Sequence, residues 1–167
     1  VKEELIKNRN YSIIEHDYKV HPSRQPHRFP NNIFPKEELI NLKFFAFAKN
    51  VFLQSNDQLE CYMKNGITAS FKVLDGSVWS NEELDQLQEI GARYLCNRMS
   101  SFAIIEDHGP DKGTKNTIAW CEANNLNYQL IPKMPKSKFY VALADHAALV
   151  YMPNVKESFC RLVVEAR

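Results

Sequence analysis

Residues 102–131, FAIIEDHGPDKGTKNTIAWCEANNLNYQLI, decide the fold class. The stretch opens on FAII, an apolar run of strand length. Gly109-Pro110 and Asp111-Lys112-Gly113 then break the chain, and a helical segment follows over about 115–124. YQLI at 128–131 returns to strand character. Two strands joined by a helix pair in parallel, because a parallel pair needs a crossover of this kind. Short, nearly continuous apolar strands are those of a sheet covered on both faces.

The same alternation extends in both directions. Downstream come a helix at 137–144, a strand at 147–152 and a helix from 157 onward. Upstream, Ser80-Asn-Glu-Glu is a capping box that opens a helix reaching about 95. Further upstream the spacing predicts strands at 11–15, 51–54 and 71–74. Helices are expected at 35–49, opened by Pro35, and at 55–65, with Ser55 as N-cap and Asn65-Gly66 as its end. The expectation is an α/β fold, a parallel sheet with flanking helices. The break at 75–80 is the candidate domain boundary, giving domains at 1–75 and 76–167.

Composition narrows the function classes. The chain has 167 residues, 44% of them hydrophobic, so a buried core is affordable and extended disorder is excluded. Twenty-one basic against twenty acidic residues leave a net charge of +1, which argues against a nucleic-acid partner. No apolar run has the length of a membrane span and none has signal-peptide form. Cys61, Cys96, Cys121 and Cys160 are far apart, and read as reduced thiols in a cytoplasmic protein rather than as zinc ligands. His16, His21 and His27 share one stretch, where a metal site stands beside the plainer reading of loop histidines. KVHPSRQPHR at 19–28 reads as a basic, solvated, irregular loop, because its two prolines lack the N–H of helix or sheet.

In parallel sheets ligands bind beyond the carboxyl ends of the strands, which directs attention to the loops at 106–114, 132–136 and 153–157. Pro110-Asp-Lys-Gly-Thr114 places an ammonium and glycine at a helix start, a setting for phosphate. It has neither the P-loop spacing nor the Gly-x-Gly-x-x-Gly of a dinucleotide site. In ESFCRLVVE at 157–165, Glu157 and Glu165 lie about 12 Å apart along a helix and about 80° apart around it. That spacing suits gripping two ends of one ligand, and not the closer pair of a hydrolase. The plain alternative is an amphipathic surface helix with Phe159, Leu162, Val163 and Ala166 as its apolar stripe.

The ending ALVYMPNVKESFCRLVVEAR resembles the donor-binding signature of retaining glycosyltransferases of the GT-B fold, family 4 in particular: strand, Pro-containing turn, Glu-x-Phe-Gly/Cys, and a second Glu eight positions on. DKG at 111–113 is similar to that family's Glu-Lys-Gly phosphate turn, and FKVLDGSVWS at 71–80 to its interdomain crossover. The resemblance covers 44–167 well and the first forty residues loosely. It implies two Rossmann-like domains, the first represented by its end. By the resemblance, Glu157 is the catalytic-site glutamate that holds hydroxyls of the transferred sugar, and Glu165 binds the ribose. Lys112 and Gly113 would take the diphosphate, Phe159 and Cys160 would cover phosphate and sugar, and Pro132-Lys133-Met134 would line the base. The donor is expected to be a UDP-, GDP- or ADP-sugar, with no metal or other cofactor required. The acceptor is a carbohydrate, a lipid or a protein. The expected place is the cytoplasm, with peripheral contact at the inner face of a membrane open.

Two positions depart from the family pattern. Asp107 stands where an arginine is usual, so that either another cation such as Lys115 or Arg161 substitutes or donor binding is weakened, and Cys160 stands for glycine. The expectation is a donor-binding fragment of a retaining hexosyltransferase that does not transfer sugar by itself. Its start without Met and its stop within a helix suggest a piece of a longer enzyme, prone to self-association. A non-catalytic binding or assembly module of the same fold is the rival, and an unrelated Rossmann-like phosphate enzyme the third reading.

Overall fold

The computed structural model describes residues 1–94, 96, 98–155 and 160–166. The described chain divides into two compact units, Val1–Ser77 and, by number, 78–155 with 160–166. Each unit is α/β, with a three-stranded parallel sheet of Rossmann-like type and flanking helices.

In the first unit, α1 (Lys2–Asn8) precedes β1 (Ile13–Glu15), α2 (Leu42–Ala46), β2 (Val51–Leu53), α3 (Asn56–Lys64) and β3 (Phe71–Val73). Strand order is β1-β2-β3, with Ile13 opposite Val51 and Val51 opposite Phe71. Val51 and Leu53 of the central strand are fully buried, packed with Phe45 and Tyr62. Helix α3 starts and stops as its sequence dictates. The Ser55 side chain accepts the Gln58 N–H, and Gly66 takes φ +68° beyond the C-cap Asn65.

Two expectations for this unit are corrected. No continuous helix spans 35–49. Lys36–Glu38 form one 3-10 turn, Leu39 is extended and Asn41 is left-handed at φ 61° before α2. Tertiary bonds override the local preference here. The Ile40 N–H donates to Val20 O at 2.8 Å and the Asn41 side-chain amide to Lys19 O at 2.7 Å, which holds the chain extended. The 19–28 stretch is likewise no solvated loop, since Val20, His21 and Pro26 are buried. The His21 ring stacks on Phe34 at 4.4 Å and meets Phe29 edge-on. Its Nδ1 accepts the Ser23 N–H at 3.1 Å, so the hydrogen belongs on Nε2, which faces Glu38 Oε2 at 2.9 Å. His21 thus ties a turn to the core. Among the described residues no group of three or more His, Cys, Asp or Glu is placed to hold a metal.

Glu15 ends β1 and is buried, its Oε1 accepting the N–H of Asp17 at 3.0 Å and of Lys19 at 3.4 Å. Burial pushes its carboxyl up, against the opposing pull of Lys19 and the two N–H groups. The folded state therefore binds the proton more tightly than the unfolded chain. Stability should be highest below the unfolded carboxylate value of about 4 and decline as pH rises through it towards the raised folded value. Glu15→Gln retains an acceptor and removes the titration, so its denaturation midpoint should fall less between pH 4 and 7. Parallel pH profiles for the two proteins would contradict this.

In the second unit, α4 (Asn81–Tyr94) is followed by β4 (Met99–Ile105), α5 (Thr114–Ala123), β5 (Tyr128–Ile131), α6 (Lys136–Ala144), β6 (His146–Leu149) and α7 (Arg161–Glu165). The capping box forms as expected, with Ser80 N–H on Glu83 Oε2 and Glu83 N–H on Ser80 Oγ. Strand order is β5-β4-β6, all parallel. The chain therefore crosses from β4 to β5 on one side and then returns past β4 to β6 on the other. Ala103, Ile131 and Leu143 form the centre of its core. No helix among the described residues is long and apolar enough to cross a membrane.

Candidate functional site

The carboxyl end of the first sheet is filled by its own side chains. Beyond β2, Gln58 Oε1 accepts the Gln54 N–H at 2.8 Å and Gln58 Nε2 donates to Asp17 O at 2.8 Å. Gln54 Nε2 in turn donates to Ser77 Oγ at 3.2 Å. These polar groups satisfy one another, as buried polar groups must.

The carboxyl end of the second sheet is hollow. A cavity of about 660 Å³ lies beyond β4 and β5, lined by Ile105, Glu106, Asp107, His108, Gly109, Pro132, Lys133, Met134, Lys136 and Phe139. Its volume is that of a ligand site. The Glu106 N–H donates to Ile131 O at 2.9 Å, prolonging the β4–β5 ladder by one residue. The loop then turns sharply, Asp107 Oδ1 accepting the Gly109 N–H at 2.6 Å. Thr114 locks the loop to the strand, accepting the Asp107 N–H and donating to Ile105 O at 2.8 Å. Asp107 is thus an internal brace of its loop, although its side chain also borders the hollow.

Lys112 and Gly113 open α5. Gly113, at φ +66°, is its N-cap. The 150–155 loop after β6 is pinned against this turn. Asn154 N–H donates to Asp111 O at 2.9 Å, its side-chain amide donates to Pro110 O at 2.6 Å, and its Oδ1 accepts from Asn116 at 2.7 Å. Lys112 Nζ lies 6.0 Å from the centre of the Tyr151 ring. The two loops beside the crossover reversal are therefore one hydrogen-bonded surface, at the place where open parallel sheets take ligands.

The structure brings together Lys133 and Met134 in the hollow, and Lys112 and Gly113 on the adjoining loop. It places Glu165 elsewhere. That carboxylate accepts from Trp79 Nε1 at 3.0 Å and pairs with Arg161 at 3.2 Å, and it borders a separate hollow of about 300 Å³ between α4, α6, β6 and α7. Arg161 also lies 3.6 Å from Glu83 and over the Trp79 ring, and Glu83 pairs with Lys136. Lys136 holds the Glu83 carboxyl below its ordinary range. Cys160 caps α7, and none of the four cysteines is in a disulfide. Glu157 and Phe159 lie outside the described residues.

The three loops marked out from the sequence contain Glu106, His108, Lys136 and Asn154 without singling them out as lining or as the link between loops, and Phe139 lies outside them. Asp107-His108-Gly109 carried a signal for the first pair, since Asp-x-Gly favours a turn closed by the aspartate side chain. Asn154 carried none, because its partners are backbone groups distant in sequence.

No family model, no curated protein and no solved structure matches the chain.

Proposed function

We propose that the second unit is a nucleotide-sugar donor site of the retaining-glycosyltransferase kind. The observation that carries this reading is the 660 Å³ hollow beyond β4 and β5, lined by Lys133 and Met134. The Lys112-Gly113 turn at the start of α5 belongs to the loop that leaves its wall. Apolar Met134, Phe139 and Pro132 suit a base, and Lys112 with the first N–H groups of α5 suits a diphosphate. In this reading Glu157 holds the sugar. The nucleotide diphosphate leaves from the face the acceptor attacks, its charge offset by lysine and helix N–H groups instead of a metal. The parent activity would be hexosyl transfer in the cytoplasm.

A second reading is a binding module without turnover. It is favoured by the pairing of Glu165 with Arg161 and Trp79, which commits a carboxylate otherwise meant for ribose and a cation otherwise meant for phosphate.

Calorimetric titration with UDP-, GDP- and ADP-sugars tests both readings. At least one donor should bind and raise the melting temperature by mass action. Lys112→Ala and Lys133→Ala should each weaken binding about tenfold, the scale of one charged hydrogen bond. Failure of every donor to bind would remove the proposal. Binding without transfer to any acceptor, by a longer chain that includes this one, would select the second reading.

A further inference from the structure

We infer that Glu106 makes the hollow selective for guanine among the nucleobases, an inference that rests on the donor-site reading. Glu106 is the first residue past β4, and its N–H is taken by Ile131 O. Glu106 lines the hollow, and its Oε1 lies 3.8 Å from Nε2 of His108, another lining residue. The apolar walls are Ile105, Met134 and Phe139, all partly buried against the core of this unit. They offer apolar contact, and Phe139 a ring face, to a planar base, while Lys133 lines the same hollow and the Lys136 ammonium, also at its edge, is paired with Glu83.

A carboxylate has two oxygens and, when ionised, no donor, so it pairs best with two adjacent N–H donors. Guanine alone among the common bases presents that pair, N1–H beside the N2 amino group, with the O6 acceptor next to them for an ammonium. Uracil presents one N–H between two carbonyls, so the second carboxylate oxygen would face a carbonyl oxygen. Adenine sets its amino group beside the N1 lone pair, and cytosine sets its amino group beside N3, with the same clash. Glu106 thus attracts one base and repels the others, which is how specificity is built. Asp107 does not duplicate this function, because its Oδ1 is held by the Gly109 N–H.

The experiment is calorimetry of the intact chain with GDP, IDP, UDP and ADP, repeated on Glu106→Gln. IDP differs from GDP only in lacking the N2 amino group. GDP should bind tightest, by roughly 5- to 100-fold over IDP, the range of one bidentate base contact. In Glu106→Gln one oxygen becomes a donor, so GDP should weaken about tenfold or more and its advantage over IDP should vanish. Both proteins should share one melting temperature without ligand, because Glu106 is no part of the core clusters. Tighter binding of UDP or ADP than of GDP would overturn the inference and leave the donor site standing. Equal affinity of GDP and IDP, or a GDP affinity indifferent to Glu106→Gln, would overturn it as well. Binding of none of the four would overturn both it and the donor-site reading.

Discussion

Gly113→Ala is expected to unfold or rearrange the second unit, with a loss on the order of 4 kcal/mol or more. A methyl group built on Gly113 would lie 1.9 Å from Met152 O, 3.0 Å from the carbonyl carbon behind it and 3.3 Å from the Asn154 N. Those atoms are backbone, and Asn154 is fixed to Asp111, Pro110 and Asn116, so the contact cannot be relieved by turning a side chain. The left-handed φ of +66° adds roughly 1 kcal/mol for any residue with a Cβ. Two other glycines separate the contributions. Gly66→Ala has the same sign of φ but nothing within 4 Å, and should cost only about 1 kcal/mol. Gly91→Ala lies inside α4 in open space and should stabilise by up to about 1 kcal/mol. Trp79 and Trp120, the two tryptophans of the chain, both belong to the second unit, so tryptophan fluorescence in denaturant reads it selectively. A Gly113→Ala midpoint close to that of the original protein would show that the two loops part readily. If the proposed donor site is real, the same variant should also abolish donor binding, because the Lys112 turn depends on this contact.

What the sequence makes legible follows from the range of the forces involved. Helix α3, with Ser55 and Gly66 at its ends, and α4, with its capping box, are written in residues within four positions of each other. The short apolar strands are equally local signals. The segment 35–41 is not local, because its course is set by the backbone of Lys19 and Val20. Histidine 21 offered chemistry that a loop could use, yet its burial depends on Phe29 and Phe34, which no spacing rule joins to it. At the candidate site, lysine and glycine in a turn stand out from the sequence because phosphate chemistry favours that pair. Glu106 fell within the 106–114 loop but nothing distinguished it there, because a charged residue past a strand looks like solvated surface until the hollow beside it is seen. The commitment of Glu165 to Trp79, far away in sequence, was equally hidden.

Gln58→Leu should destabilise the first unit by about 2–4 kcal/mol, although leucine is close in size and apolar. Gln58 is fully buried, and both ends of its amide serve backbone groups: Oε1 accepts from Gln54 N–H and Nε2 donates to Asp17 O. Leucine would leave the Gln54 N–H, in a residue that is itself buried, without its acceptor. Among the described residues, Asp17 O would keep the Tyr62 hydroxyl, at 3.4 Å. Hydrogen exchange at Val51–Leu53 should accelerate, while the fluorescence midpoint of the second unit should stay in place. Gln58→Glu sharpens the point. A carboxylate there still accepts from Gln54 N–H but faces the Asp17 carbonyl with no donor, and only its protonated form restores both bonds. Folding therefore raises the carboxyl pKa of this variant, so its stability should be greatest below the unfolded value of about 4 and fall as pH rises through it. Measured against the original protein at each pH, acid should close the deficit of Gln58→Glu and leave that of Gln58→Leu unchanged, since Glu15 acts alike in all three. If acid rescued both variants equally, or neither, the hydrogen bonds of Gln58 would not be what closes the carboxyl end of the first sheet. That end would then be open to a ligand of its own.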